Sequence, residues 1–424
     1  MLRSLTSVLL LLVALSAHAE PPAEPSAAER EAAQRAGVPT EEIQRYVAVY
    51  RAIRQAYVEP LSDEQLMRAA LRGLLLDLDP HSAYLRQDEA EALDELAHGH
   101  YIGIGIEIEQ QADRSIVIIA PLDGSPAARA GLRSGDVITA IDGKALDVEH
   151  ADAASQLLRG EAGSRIVLTV LSPGSDTPRD VEMQREQIDV DSVESRLLEP
   201  GFAYLRVASF QVDTAPQLRR QLAAMSDTSG GALQGVVLDL RSNPGGLLHA
   251  AVEVADAFLD SGVIVSTRGR LSYSNAEYRA KPGDASGGAD MVVLIDSGTA
   301  SAAEVLAGAL RDHERATLMG SRSFGKGSVQ TVMPLDNGDS VKLTTARYYT
   351  PSGKSIQARG IKPDVVLRGK AARGLREQDL PRHISGSDEQ ADGYAKGELI
   401  AGDAAIEAAL AHLHRRLSAS SAPR

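Results

Sequence analysis

Met291–Gln330 reads MVVLIDSGTASAAEVLAGALRDHERATLMGSRSFGKGSVQ. Its first five residues, Met291 to Ile295, form an unbroken apolar run of the kind a buried strand carries. A turn follows, Asp296 to Ala300. Ser301 then heads a segment from Ala302 to Leu310 whose Val305, Leu306, Ala309 and Leu310 share one helical face. A serine on a tight strand-to-helix turn projects its hydroxyl from the end of a sheet, beside the free N–H groups of a helix start. Farther on, Lys326 stands alone between Gly325 and Gly327. We read Ser301 as a nucleophile and Lys326 as its base.

The flanking sequence repeats the same architecture. Gly235 to Leu240 is a second apolar run; it enters Arg241-Ser242-Asn243-Pro244-Gly245-Gly246 and then a helical pattern from Leu247 to Leu259. Two strand–loop–helix units in succession imply a layered α/β core with parallel strands. Gly201 to Val207 adds a strand and Ala215 to Met225 an amphipathic helix. Val329–Leu335 and Ser340–Tyr348 read as late strands around Asn337-Gly338, a hairpin signal.

Acyl transfer needs a nucleophile, a base and donors for the developing oxyanion. Lys326 can serve as base only when neutral. The free amine has a pKa of about 10.4, and full burial can lower it by up to about 3–5 units. Gln330, four residues on, is placed to orient the amine. Oxyanion donors are expected from the N–H of Ala302 and from Gly245 or Gly246, where absent side chains allow close approach. The rival arrangement is a Ser-His-Asp triad with His313 or His249 as base. His313 falls at the far end of the Ser301 helix and His249 has no motif around it. Asp239 and Glu304 read as structural, the latter favouring a helix dipole from the first turn. No metal-ligand spacing is present, so neither a metal nor another cofactor is expected.

Upstream the texture changes at Tyr101. Short alternating strands, a helix closed by Gly131, the string GLRSGDVITAIDG (131–143) and a helix from His150 to Leu158 resemble a PDZ domain. In such domains a loop like Tyr101-Ile102-Gly103-Ile104 offers amides to a C-terminal carboxylate, and the ligand adds as a strand to the sheet edge. Three further strings, Asp239 to Gly246, Gly298 to Glu304 and Gly325 to Gln330, look like the signatures of the C-terminal processing peptidases, or tail-specific proteases. Leu78 to Leu85 and Gly360 to Asp364 also match, and coverage runs from about residue 40 to 368. The family more often has Ser where this chain has Thr299 and Ala303.

The resemblance implies a multidomain α/β serine endopeptidase with a Ser–Lys dyad and an inserted PDZ domain that reads substrate C-termini; gating of activity by that domain is the alternative to binding alone. It also implies a core like that of the crotonase and ClpP folds, and a homodimer or higher homo-oligomer. The expected divisions are 1–19 signal peptide, 20–97 helical region, 98–186 PDZ domain, 187–368 peptidase core and 369–424 tail and helix. The other class of reading is a non-catalytic PDZ adaptor on a decayed protease core, but the residues such decay would remove are all present.

Composition bounds the rest. The chain has 424 residues, 43% hydrophobic, with formal net charge −14 and no cysteine. An acidic chain with no Lys/Arg-rich block is a poor partner for nucleic acid. Arg3, the apolar stretch Leu5 to Leu15 and the small residues before Ala19 follow a cleaved signal-peptide pattern. The expected compartment is therefore the periplasm, with no transmembrane segment in the mature chain. Protein and peptide substrates are the expected partners, with a periplasmic adaptor as a further one.

Overall fold

The computed structural model describes residues 39–111, 115–122, 124–146, 151–367, 376–386 and 403–420. The signal-peptide reading lies outside them. Three helices come first: α1 (Thr40–Ala56), α2 (Asp63–Leu76) and, after the short strand β1 (Ala83–Leu85), α3 (Gln87–His98). Ser62 and Gln65 cap α2 reciprocally, which fixes its start. α1 buries none of its side chains; Ile43, Tyr46, Val49, Ile53 and Tyr57 stay exposed.

The PDZ-like module is entered through β2 (His100–Gly103) and left through β9 (Glu186–Asp189), which pair antiparallel. Between them run β3 (Ile106–Gln110), β4 (Ile116–Pro121), α4 (Pro126–Arg129), β5 (Val137–Ile141), β6 (Lys144–Ala145), α5 (Ala151–Leu158), β7 (Arg165–Leu171) and β8 (Arg179–Gln184). The sheet order is β3-β4-β5-β7-β8, with β6 on β5. Asp142 and Gly143, both at positive φ, make the β5–β6 hairpin turn. Buried Arg185 donates to the carbonyls of Leu157 and Leu158, closing the C-terminal end of α5.

Two sheets form the rest. One holds β10 (Val193–Glu199), β11 (Phe202–Val207), β12 (Gly235–Asp239), β15 (Asp290–Ile295), β16 (Thr317–Gly320) and β19 (Val365–Val366) in that order. All pairs but β10–β11 are parallel. The helices α6 (Thr214–Thr228), α7 (Leu248–Asp256) and α8 (Ala302–Asp312) intervene. The second sheet gathers β13 (Val263–Gly269), β14 (Ala276–Arg279), β17 (Ser328–Pro334) and β18 (Ser340–Tyr349) with β1. β18 is its spine: β17 flanks one side, and β1 and β13 share the other.

The central strands lack polar alternation because both faces of their sheet are covered. Leu205, Val236, Leu238, Val293 and Ile295 pack toward Leu218, Leu222, Val305, Leu306 and Leu310. Phe202, Tyr204, Val237, Val292 and Leu294 pack on Ile406, Ala409 and Leu413 of the last helix, α9 (Asp403–Ser420). Each large aliphatic buried there contributes about 1.5–3 kcal/mol. α9 thus covers the core of its own chain.

Candidate active site

β12 and β15 lie side by side in parallel, so their C-terminal loops meet at one end of the sheet. The Asp296–Ala300 turn is tied to the neighbouring loop. Thr299 Oγ1 donates to the Leu240 carbonyl (2.7 Å), and the Ala300 amide donates to that of Asn243 (2.9 Å). Ser301 follows at φ 53°, ψ −118°. A non-glycine residue there stores about 1–3 kcal/mol of strain, which the surrounding bonds must hold. The side chain is buried, and the Tyr348 phenol of β18 lies beside it. Burial pushes the Tyr348 phenol up to about 12, so it stays a neutral partner.

Glu304 holds the arrangement together. It is fully buried, and one oxygen, Oε2, accepts the amides of both Ser301 and Lys326 at 2.9 Å each. Its other oxygen accepts the Gly325 amide (2.8 Å) and the Ser323 hydroxyl. Burial pushes its carboxyl up to about 7, against the pull of these four donors. The sequence reading of Glu304 as a dipole partner missed this role. The available signal was a carboxylate three residues after the helix-leading serine, in a stretch, Ala302 to Leu310, that is otherwise apolar all round.

Lys326 is carried inward by this turn. Gly325 has φ 102°, and a Cβ on Gly327 would lie 2.2 Å from the Gln357 nitrogen, so only glycine lets the two backbones approach. Burial lowers the Lys326 pKa and Lys342 adds to this; Glu377, Glu304 and Asp79 oppose it. Gln330 spends its amide nitrogen on Ser328 Oγ (3.0 Å) and Thr344 Oγ1 (3.3 Å), which leaves Oε1 as its acceptor toward an ammonium.

Of the proposed oxyanion donors, the Gly245 amide is already bonded to Asn243 Oδ1 (2.8 Å) within its own loop. Among the described residues no backbone acceptor takes the amides of Gly246 or Ala302. Gly245 lies against Ser301: its Cβ would fall 2.9 Å from that of the serine. Gly246 has φ 132°, and a Cβ there would meet the Phe210 carbonyl at 2.3 Å. Gly246→Ala is expected to cost about 1–3 kcal/mol from backbone strain alone, read as a lower unfolding midpoint with an unchanged m-value.

The N-terminal helical region backs this site. Asp79 is buried, yet the Ser82 hydroxyl, the His81 and Ser82 amides and Thr344 hold its carboxyl below the ordinary range. Thr344 in turn receives Gln330. The two histidines of the rival triad lie elsewhere: His313 Nε2 contacts the Val263 carbonyl (2.7 Å), and His249 is exposed and pairs with Glu253.

In the PDZ-like module a groove runs between β3 and α5. It is lined by Tyr101, Gly103, Ile104 and Gly105, then by Ile106, Ile108, Ser155, Leu158 and Arg159. Ile102 does not line it. β3 is the edge of its sheet, so its outer backbone groups face the groove. Arg159 lies over the Tyr101 ring, 5.3 Å from its centroid.

A family profile for Peptidase family S41 matches residues 201–367, and one for the PDZ domain matches 117–172. A carboxy-terminal-processing protease of Bartonella bacilliformis is 41% identical over 373 residues, covering 85% of either chain. This chain belongs to the carboxy-terminal-processing proteases of family S41. A probable CtpA-like serine protease of Staphylococcus aureus is 37% identical over 327 residues, 75% of this chain and 63% of that one. Among solved structures, a photosystem II D1 C-terminal processing protease is 32% identical, with TM-score 0.45 over 82% of this chain and 100% of that chain. Membership in family S41 favours a serine protease over a non-catalytic PDZ adaptor. Among the described residues no helix is long and apolar enough to cross a membrane, and no group of His, Cys, Asp or Glu could hold a metal ion.

Proposed function

We propose that this S41 protease is a periplasmic serine endopeptidase that cuts proteins at or near their C-termini with a Ser301–Lys326 dyad. One observation carries the reading: a single oxygen of buried Glu304 takes the backbone amides of both residues, across 25 positions of sequence. In the first step Ser301 Oγ bonds to the substrate carbonyl carbon, and its proton passes to neutral Lys326 Nζ. The new oxyanion faces the amides of Ala302 and Gly246. Lys326 then gives that proton to the leaving amine, and the C–N bond breaks. A water attacks the acyl-enzyme with Lys326 again as base, releasing the acid and Ser301. Gln330 Oε1 orients the amine, and no cofactor enters. Domain divisions at 98 and 187 and a crotonase-like or ClpP-like core belong to the same reading.

The PDZ groove receives the substrate's C-terminal carboxylate at the Tyr101–Ile104 loop, and the tail adds beside β3. The exposed apolar face of α1 is assigned to a second copy of the chain, which sedimentation at several concentrations tests; a monomer at all of them removes it. A protein substrate with a free C-terminus, compared with the same chain ending in an amide, tests the tail reading. Losing one charge-assisted set of contacts costs about 1.5–3 kcal/mol, so wild-type kcat/KM should fall by about 10–150-fold. Deleting residues 101–185 should abolish that difference and impair tailed proteins more than short peptides. Equal cleavage of acid and amide by the wild type removes the C-terminal reading.

A further inference from the structure

Three successive amides around Lys326 are held from two sides. Those of Gly325 and Lys326 go to Glu304, and that of Gly327 goes to Gln357 Oε1 at 2.9 Å. Because Gln357 Oε1 accepts, its Nε2 must donate, and it does so to Glu377 Oε1 (2.9 Å) and the Ile384 carbonyl (2.8 Å). Glu377 is fully buried, and its second oxygen meets His81 Nε2 at 2.8 Å. A carboxylate only accepts, so this contact fixes the His81 proton on Nε2. The Glu377 amide donates to the Phe324 carbonyl (3.2 Å), which locks its segment behind the turn that carries the lysine. Glu377 and His81 both lie outside the 201–367 stretch matched to family S41.

We infer that Glu377 is a positioning residue for Lys326, acting through Gln357 and the Gly327 amide, and that His81 holds Glu377 in that role. The segment Arg376–Gly386 thereby completes the site from behind, with the Leu78–Leu85 string as its anchor. An unpaired charge this deep would be strongly unfavourable, so the His81 and Gln357 donors explain why a fully buried glutamate is retained there. The inference rests on Lys326 as the base. Charged groups facing Lys326 are Glu304 from α8, Asp79 from the turn before β1, Lys342 from β18, and Glu377. Removing the Glu377 charge therefore lowers the lysine pKa further, a change that loss of packing alone would not produce.

The test is the pH profile of kcat/KM for full-length Glu377→Gln, with thermal unfolding as the check on folding. The acid limb should move to lower pH, and kcat should fall about tenfold with KM unchanged, since no substrate-binding group is touched. A limb that stays in place in a folded variant overturns the inference. Should Glu377→Gln fail to fold, the part-exposed partner decides: His81→Leu removes the donor to Glu377 and should lower kcat, while His81→Gln supplies one and should restore it. If His81→Gln is as impaired as His81→Leu, the inference is likewise overturned. Full activity of Lys326→Arg would instead remove the base assignment itself, so the two failures are distinguishable.

Discussion

Arginine at position 326 is expected to lower kcat/KM by about 10³, with KM for tailed substrates little changed. Arginine keeps the positive charge and much of the stem, but its guanidinium does not give up a proton at any working pH. The backbone anchors of the turn are amides to Glu304 and Gln357, so the side-chain change leaves them intact. The loss therefore reports base function rather than misfolding. The wild-type acid limb should lie below the ordinary lysine range, because burial lowers the Lys326 pKa. The arginine variant should lose that limb. Ser301→Ala is expected to fall further, by about 10⁶ in kcat, as for removal of a nucleophile elsewhere. An arginine variant that cleaves at the wild-type rate would eliminate the Ser–Lys mechanism.

Glu304→Ala is expected to cost both stability and rate. It strands the buried amides of Ser301, Gly325 and Lys326, and each orphaned donor costs about 1–3 kcal/mol. A total of about 3–5 kcal/mol is the scale for breaking such a buried hub. Denaturant unfolding measures this loss. The kcat should also fall, because nothing then ties Ser301 to Lys326. A variant within about 0.5 kcal/mol of wild type, the range of an ordinary surface substitution, would refute the hub. Glu304→Gln keeps one accepting oxygen and should be milder.

Its pH dependence is specific. The folded carboxyl titrates at about 7, above its ordinary 4.5, so folding takes up a proton between these values. The stability that Glu304 adds is fully present below 4.5 and lost as pH rises through 7. The stability gap between wild type and Glu304→Gln should therefore narrow from pH 5 to pH 8, as read by unfolding at each pH.

The parallel core was legible because its signals are local. Met291–Ile295 is a buried run, the turn after it must be small, and Ala302–Leu310 has helical spacing. All three appear within a residue or two of where they were expected. Glu304 was misread for a physical reason. Its first-turn position satisfies a helix dipole whether or not it is buried, so sequence could not separate a surface carboxylate from one bonded to residues about twenty positions away. The same holds for Asp79 and His81. Their partners Thr344 and Glu377 lie hundreds of residues downstream, and no spacing rule reaches that far.

Sequence by itself determined the strand–turn–helix units, the PDZ-like insertion, the family and the Ser301 and Lys326 candidates. Each rests on short-range periodicity or on a contiguous string. Tertiary structure alone decided that one glutamate oxygen spans both candidates, that Gly245 spends its amide in its own loop, and that α9 covers the sheet of its own chain. These are statements about which polar groups and apolar faces find each other after the chain closes. Hydrogen-bond satisfaction in a buried site is a property of the closed fold, so it is read from the packed structure and not from the order of residues.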